Sequence, residues 1–176
     1  REMLRGLRER NLTPMITLQH FSEPLWISEL GSWENETIIK LFEAYTFKVV
    51  EALRDYVEYW ITINEPSLLA VLGWLNGWFP PGKRSPGSLI TVYQNILRAH
   101  AAAFRVIHSL QPEAKVGISH YYRGARPARS WYPPDRWMTN LQSGLVNHAI
   151  PLALKDGVLR LPFKWKRLPD VKVGFD

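Results

Sequence analysis

Cysteine is absent from the 176 residues. That excludes disulfides, cysteine-ligated zinc and thiol catalysis. It fits a reducing compartment, so a cytoplasmic location is the expectation. Long apolar runs are also missing. None approaches the roughly 20 residues a membrane-spanning helix needs, and Arg1-Glu2-Met3-Leu4-Arg5 opens no apolar leader segment. No strand-like stretch is followed by G-x-G-x-x-G, the phosphate-binding turn of open doubly wound sheets. Acidic residues are in deficit, 16 against 22 Lys and Arg, for a net charge of +6. Such a balance would suit nucleic acid or an anionic membrane. Here the basic residues are dispersed, with modest groups at 123–136 and 160–172, and no nucleic-acid motif lies beside them. The charge therefore reads as solvated surface, with no nucleic-acid or membrane partner. No metal or cofactor is called for.

Hydrophobic residues make up 46% and aromatics 12% of the chain, eight of them Trp. That is enough apolar material for one domain with a core. The apolar pattern alternates between helix and strand periods. Met3, Leu4 and Leu7 end a helix that Asn11 closes in a left-handed conformation. Thr13 to Leu18 reads as a buried strand. Asn35 caps a helix whose apolar positions are Ile38, Leu41, Phe42, Tyr45, Val49, Ala52, Leu53 and Tyr56. Tyr59 to Ile63, β-branched and aromatic, is a second strand. After a Gly-, Trp- and Pro-rich loop over 73–87, Ser88 caps a helix carrying Leu89, Tyr93, Ile96, Leu97, His100, Phe104 and Ile107. Lys115 to His120 is a third strand. Asp135 caps a further helix with Trp137, Leu141, Leu145, His148 and Leu152 inward, stopped by Asp156-Gly157. Asp170 to Phe175 starts a fourth strand.

The order α-β-α-β-α-β-α-β predicts an α/β fold with parallel crossovers. No repeat or linker divides it, so residues 1–176 form a single domain. Polar residues gather just after each strand, where a barrel keeps its active site. The sharpest of these groups is Asn64-Glu65-Pro66. A carboxyl projecting from the C-terminal rim of a sheet, near apolar walls, is held protonated and can give its proton to a leaving oxygen. Asn64 beside it donates and accepts, as a sugar hydroxyl requires, and Pro66 ends the strand ladder.

Five segments in order resemble glycoside hydrolase family 1, the retaining β-glycosidases. Thr62-Ile63-Asn64-Glu65-Pro66 is similar to the family's acid/base motif. Thr17-Leu18-Gln19-His20-Phe21, with Pro24-Leu25-Trp26, is similar to its third-strand signature. Gly31, Trp33 and Asn35 match the start of the next helix. Gly73 with Gly77, Pro80, Pro81 and Gly82 matches the loop after the acid/base strand, and Arg98-Ala99-His100-Ala101 lies on the helix beyond. The resemblance implies a partial (β/α)8 TIM barrel covering about strands three to six, and a substrate with a terminal β-D-glycosidic bond. It implies that Glu65 is the general acid and later the general base, that Asn64 binds the sugar 2-hydroxyl, and that His20 donates to a glycone hydroxyl. Phe21 stands where the family often has Trp and supplies a smaller stacking face. Trp74 and Trp78, beyond Glu65, either line the aglycone side or pack.

The remaining histidines read as structural: His100 and His148 on inward helix faces, His108 near a helix end. His120 sits at the rim or in the core. Ser119-His120-Tyr121 departs from the family, which often has Asn after that strand, and the basic stretch around Tyr132-Pro133-Pro134 follows no family pattern. A retaining glycosidase uses two carboxyls about 5–5.5 Å apart. The family's nucleophile lies in an I-T-E-N-G-like segment absent from these residues, and Glu113 lacks the context of a strand end. The expectation is an internal fragment that is inactive alone, with open sheet edges that favour self-association or a complementing barrel half. The competing expectation is a noncatalytic sugar-binding or interaction protein built on a truncated barrel.

Overall fold

The computed structural model describes residues 1–161 and 164–173. In chain order these form α1 (Glu2–Glu9), β1 (Met15–Gln19), α2 (Leu25–Glu29), α3 (Thr37–Leu53), β2 (Tyr59–Asn64), α4 (Pro66–Ala70), α5 (Pro86–Leu110), β3 (Lys115–Ser119), α6 (Pro133–Ser143), α7 (Ala149–Asp156), β4 (Val158–Leu161) and β5 (Lys164–Arg167). The first three strands make a parallel sheet in the order β1-β2-β3. Met15 lies beside Tyr59 and Tyr59 beside Lys115, while at the other end Gln19 lies beside Ile63 and Asn64 beside Ser119. All three chains therefore leave the sheet at one rim. The register slips between Ile61 and Asn64, just ahead of Glu65.

Helices α3 and α5 carry the crossovers and pack on each other. On α3 the buried stripe is Ile38, Phe42, Thr46 and Val50. The expected Tyr45 is instead 46% exposed, on the side of the helix beyond the open edge of β1. On α5 the expected face is buried from Leu89 to Ile107, with Phe104 half-buried. Each fully buried Leu or Ile there contributes about 1.5–3 kcal/mol. Burial of Trp60 leaves its indole N–H in need of a partner, which Gln111 Oε1 supplies at 3.1 Å.

Several local expectations are corrected. Ser85, not Ser88, is the N-cap of α5: its hydroxyl accepts from the Ser88 amide at 3.2 Å, and Pro86 fills the first helical position. Asp135 lies inside the first turn of α6 and is engaged by Arg129. Glu36 immediately precedes α3, and Asn35, one residue earlier, accepts from the Thr37 amide at 2.9 Å through its side chain. Asn11 takes the expected left-handed conformation.

The face of the third long helix is also corrected. Trp137 is 64% exposed, His148 is exposed and Leu152 is only partly covered. Leu145 is buried as expected, and Val146, Ala149, Ile150, Ala153 and Leu154 are buried in place of the others. Between α6 and α7 the chain makes a π-turn over Gly144–His148, with the Ala149 amide bonded to Gly144 O. One extra residue in a turn rotates everything after it by about 100°, so a single helical wheel cannot describe both halves.

Of the fourth parallel strand expected over Asp170 to Phe175, the described part, residues 170–173, forms no strand. Pro169–Val171 is a 3-10 turn, and residues 174–175 lie outside the described residues. The chain makes an antiparallel hairpin earlier, β4 with β5, Leu159 beside Lys166 and Leu161 beside Lys164. Gly157, at φ 73°, turns the chain out of α7, and the period-two pair Leu159 and Leu161 is buried. Among the described residues no helix is long and apolar enough to cross a membrane.

Candidate active site

Glu65 occupies the left-handed region at φ 43°, ψ 55°. For a residue with a Cβ this costs on the order of 1–2 kcal/mol, and such strain gathers at functional positions. The backbone around it is fixed on both sides. The Glu65 amide donates to Ser119 O at 2.7 Å, and its carbonyl accepts from the Leu69 amide at 3.0 Å, the first bond of α4. Pro66 follows at the first helical position, where a missing N–H costs nothing. The sequence predicts only a turn there; the structure makes the residue after Glu65 the start of a helix.

Below Glu65, Thr62 anchors β2 to α5. Its hydroxyl lies 2.6 Å from His100 Nδ1 and 3.3 Å from Gly117 O. The hydroxyl has one proton, so a consistent arrangement is Nδ1–H to Thr62, and Thr62 O–H to Gly117, with Nε2 carrying the lone pair. Burial pushes His100 down to about 4, and it is neutral near pH 7. His100 is structural, as expected.

At the same rim β1 delivers His20 and Phe21. His20 is exposed and meets Phe21 edge-on with ring centres 5.5 Å apart. Phe21, also left-handed at φ 61°, meets Phe79 edge-on at 5.6 Å. It thereby ties the end of β1 to the loop beyond β2. Asn64 and Glu65 are half-buried. Among the described residues no hydrogen bond or ion pair engages the side chains of His20, Asn64 or Glu65.

His120 turns out to be half-buried and committed elsewhere: its Nε2 donates to Asn147 O at 3.0 Å. Desolvation holds its pKa below the ordinary value, aided by the charge of His148 and opposed by the bond to Asn147. Trp74 is buried and packs, whereas Trp78 is 74% exposed. Trp78 lines a cleft of about 470 Å³ with Leu72, Tyr121, Arg123, Met138 and Leu141. Its walls are α4 with the turn after it, the loop after β3, and α6. The sequence marks Tyr121 only as part of a departure from the family and Arg123 only as one of a basic group, and it gives Asn147 no role. A Pro inside an otherwise helical pattern, Pro151, was the available signal for the special role of Asn147.

Two other carboxylates bear on the site. Glu113 precedes β3 and stands at the opposite end of the sheet. Glu23, past the end of β1, accepts from Ser28 at 2.7 Å and Ser32 at 2.8 Å. Among the described residues no group of three or more His, Cys, Asp or Glu forms a metal-holding cluster.

The family model described as glycosyl hydrolase family 1 matches residues 1–148. This chain belongs to glycosyl hydrolase family 1. Its similarity extends along most of the chain. A human lactase/phlorizin hydrolase is 33% identical over 170 residues, covering 93% of this chain and 9% of that protein. A 1,4-beta-D-glucan glucohydrolase of Thermotoga neapolitana is 36% identical over 112 residues, 64% of this chain and 26% of that protein. The structure of a beta-glycosidase from Pyrococcus horikoshii superposes with a TM-score of 0.86 at 34% identity, covering 99% of this chain and 39% of that one. The chain thus spans under two fifths of these family 1 relatives, and its fold is a part of their barrel.

Proposed function

We propose that the chain carries the acid/base portion of a retaining β-glycosidase site acting on terminal β-D-glycosides. The observation that carries this reading is the placement of Glu65: a strained carboxylate-bearing residue at the C-terminal rim of a parallel sheet, with Asn64 beside it and His20 at the same rim. Strands β1, β2 and β3 correspond to the third, fourth and fifth strands of the barrel. The names of the Thermotoga and Pyrococcus relatives support a β-glucoside or related β-glycoside as substrate.

In this reading Glu65 protonates the departing glycosidic oxygen. It then takes a proton from the water that releases the sugar from its covalent intermediate. Asn64 holds the 2-hydroxyl, a contact that tightens as the ring flattens toward the oxocarbenium-like transition state. His20 meets a hydroxyl of the same sugar, and Phe21, held against Phe79, walls the pocket. The cleft past α4 receives the leaving group, with Trp78 on its margin. The nucleophile belongs to the remainder of the barrel, because neither Glu113 nor Glu23 stands free at this rim.

The test completes the barrel, by fusing the remaining strands of a family 1 relative. Glu65→Gln should then lower kcat/KM for alkyl β-glucosides by about 10²–10⁴-fold, the usual worth of general acid catalysis. A variant as active as its parent on those substrates would remove Glu65 from the role.

A further inference from the structure

The cleft past α4 has a chemical bias of its own. Its walls are apolar, formed by Leu72, Leu75, Trp78, Tyr121, Met138 and Leu141, and its volume of about 470 Å³ suits a bicyclic aromatic body. One charged residue lines it, Arg123, and no carboxylate does. The backbone of Arg123 is gripped from both sides by Asn147: its amide donates to Oδ1 at 3.0 Å and its carbonyl accepts from Nδ2 at 2.8 Å. Asn147 is itself buried, which fixes the main chain of Arg123, whose side chain is exposed at the margin of the cleft.

Arg129, in the same loop, and Arg98, on α5, differ from it in one respect. Arg129 is bound to Asp135 at 2.9 Å and 3.1 Å, and Arg98 to Glu36 and Asp170 at 3.2 Å each. Among the described residues no carboxylate engages the Arg123 guanidinium. Arg126, three residues on, adds the same sign. A cation beside apolar walls, with its donors uncommitted, favours an anion through charge-assisted hydrogen bonds that strengthen as water is excluded.

We infer that this cleft selects leaving groups with an aromatic body and an anionic substituent, such as a carboxylate, with Arg123 as the residue that sets the preference. This rests on the reading of the cleft as the leaving-group side; the charge preference itself does not depend on Glu65. Asn76 and Gln142, also in the lining, offer neutral hydrogen bonds to the same substituent.

The test is binding of 2-naphthoate and of neutral 2-naphthylmethanol to the 176-residue chain, followed by calorimetry. Naphthoate should bind about tenfold or more tightly than the alcohol at low salt, the worth of one charge-assisted contact. In Arg123→Met the ratio should fall to about one while the alcohol binds as before, which also shows the cleft intact. Leu72→Trp, which fills the cleft, should abolish both. Equal affinities in the parent, or a preference that survives Arg123→Met, overturns the proposal. So does binding that survives Leu72→Trp, or concentration-dependent association that Leu72→Trp removes while neither probe binds, which would make a second copy the occupant. Glu65→Gln should leave both affinities unchanged. A failure of the acid/base assignment would therefore show in turnover and leave these affinities as they are.

Discussion

The Nε2 of His120 donates to the carbonyl of Asn147 at 3.0 Å. In a regular helix that carbonyl would be taken by the amide four residues on, but residue 151 is a proline and has no N–H. A strand-end histidine thus satisfies an acceptor that the helix cannot. Asn147 then reaches across the same gap with its side chain to hold Arg123. One residue of the π-turn joins the loop after β3 to the wall of the cleft.

Asn147→Ala should therefore unpin the loop. The Arg123 amide and carbonyl lose their partners together, and so does the Ser143 hydroxyl, which accepts from Asn147 Nδ2 at 3.2 Å. Leaving partly buried backbone groups unpaired costs about 1–3 kcal/mol. Urea unfolding should show that loss, and the Arg123 amide should exchange with solvent much faster. An unchanged exchange rate would mean the loop is held by something other than Asn147.

Acid sensitivity follows from His100. Buried and neutral, it has a folded-state value of about 4 against an ordinary 6.5. Between those values the unfolded chain binds a proton that the folded chain does not, so stability falls as the pH drops from about 6.5 toward 4. Above 6.5 neither state is protonated and the curve is flat. The full drop is on the order of 3 kcal/mol. His120, whose value is also lowered, acts with the same sign. Denaturant unfolding across pH 4–8 measures the slope. Replacing both buried partners, in Thr62→Val with His100→Leu, should flatten most of it, because the pair is removed without orphaning either member.

The sheet and its rim were legible because their signals are local. Tyr59 to Asn64 is β-branched and aromatic, and Pro66 halts it; Lys115 to Ser119 comes shortly after Pro112 and carries the β-branched Val116 and Ile118. His20, Asn64 and Glu65 were found as residues past strand ends, and the structure brings them to one rim. What the sequence hid depends on phase and on side-chain traffic between elements. The π-turn over Gly144–His148 broke the helical wheel and put Trp137 and His148 outside. The β4–β5 hairpin was missed because β5 is exposed along its whole length, leaving only Leu159 and Leu161 as a pattern. Asn147 looks like one polar residue in a helix: Pro151 signals a break in the helical bonding there, but nothing local announces that the side chain binds a loop 24 residues earlier.

The 176-residue chain by itself should not turn over aryl β-glycosides. Glu65 can give a proton to a bound substrate, but Glu23 is tied to Ser28 and Ser32 and Glu113 lies at the far end of the sheet. Neither can trap the sugar. Assay of the pure chain on 4-nitrophenyl β-glucoside checks this. Turnover that vanishes in Glu65→Gln would show that a second carboxylate reaches the site, from this chain or from another copy.

In a completed barrel, Glu65→Ala separates the two halves of the reaction. Substrates with poor leaving groups need protonation and should nearly stop reacting, whereas 2,4-dinitrophenyl glycosides, whose oxygen leaves unaided, should still form the glycosyl-enzyme. That intermediate should then accumulate, because water has lost the base that activates it. Azide needs no base. Its addition should restore turnover of the dinitrophenyl substrate and yield a β-glycosyl azide. Two successive inversions, one by the nucleophile and one by azide, return the original configuration. Product configuration is read directly by NMR. An α-glycosyl azide would mean that azide had replaced the nucleophile rather than the base, and the lost residue would then be on the wrong face to be the acid/base. If Glu65 is only the strained turn that starts α4, the alanine variant should hydrolyse both classes of substrate at near-parental rates, and azide should change nothing.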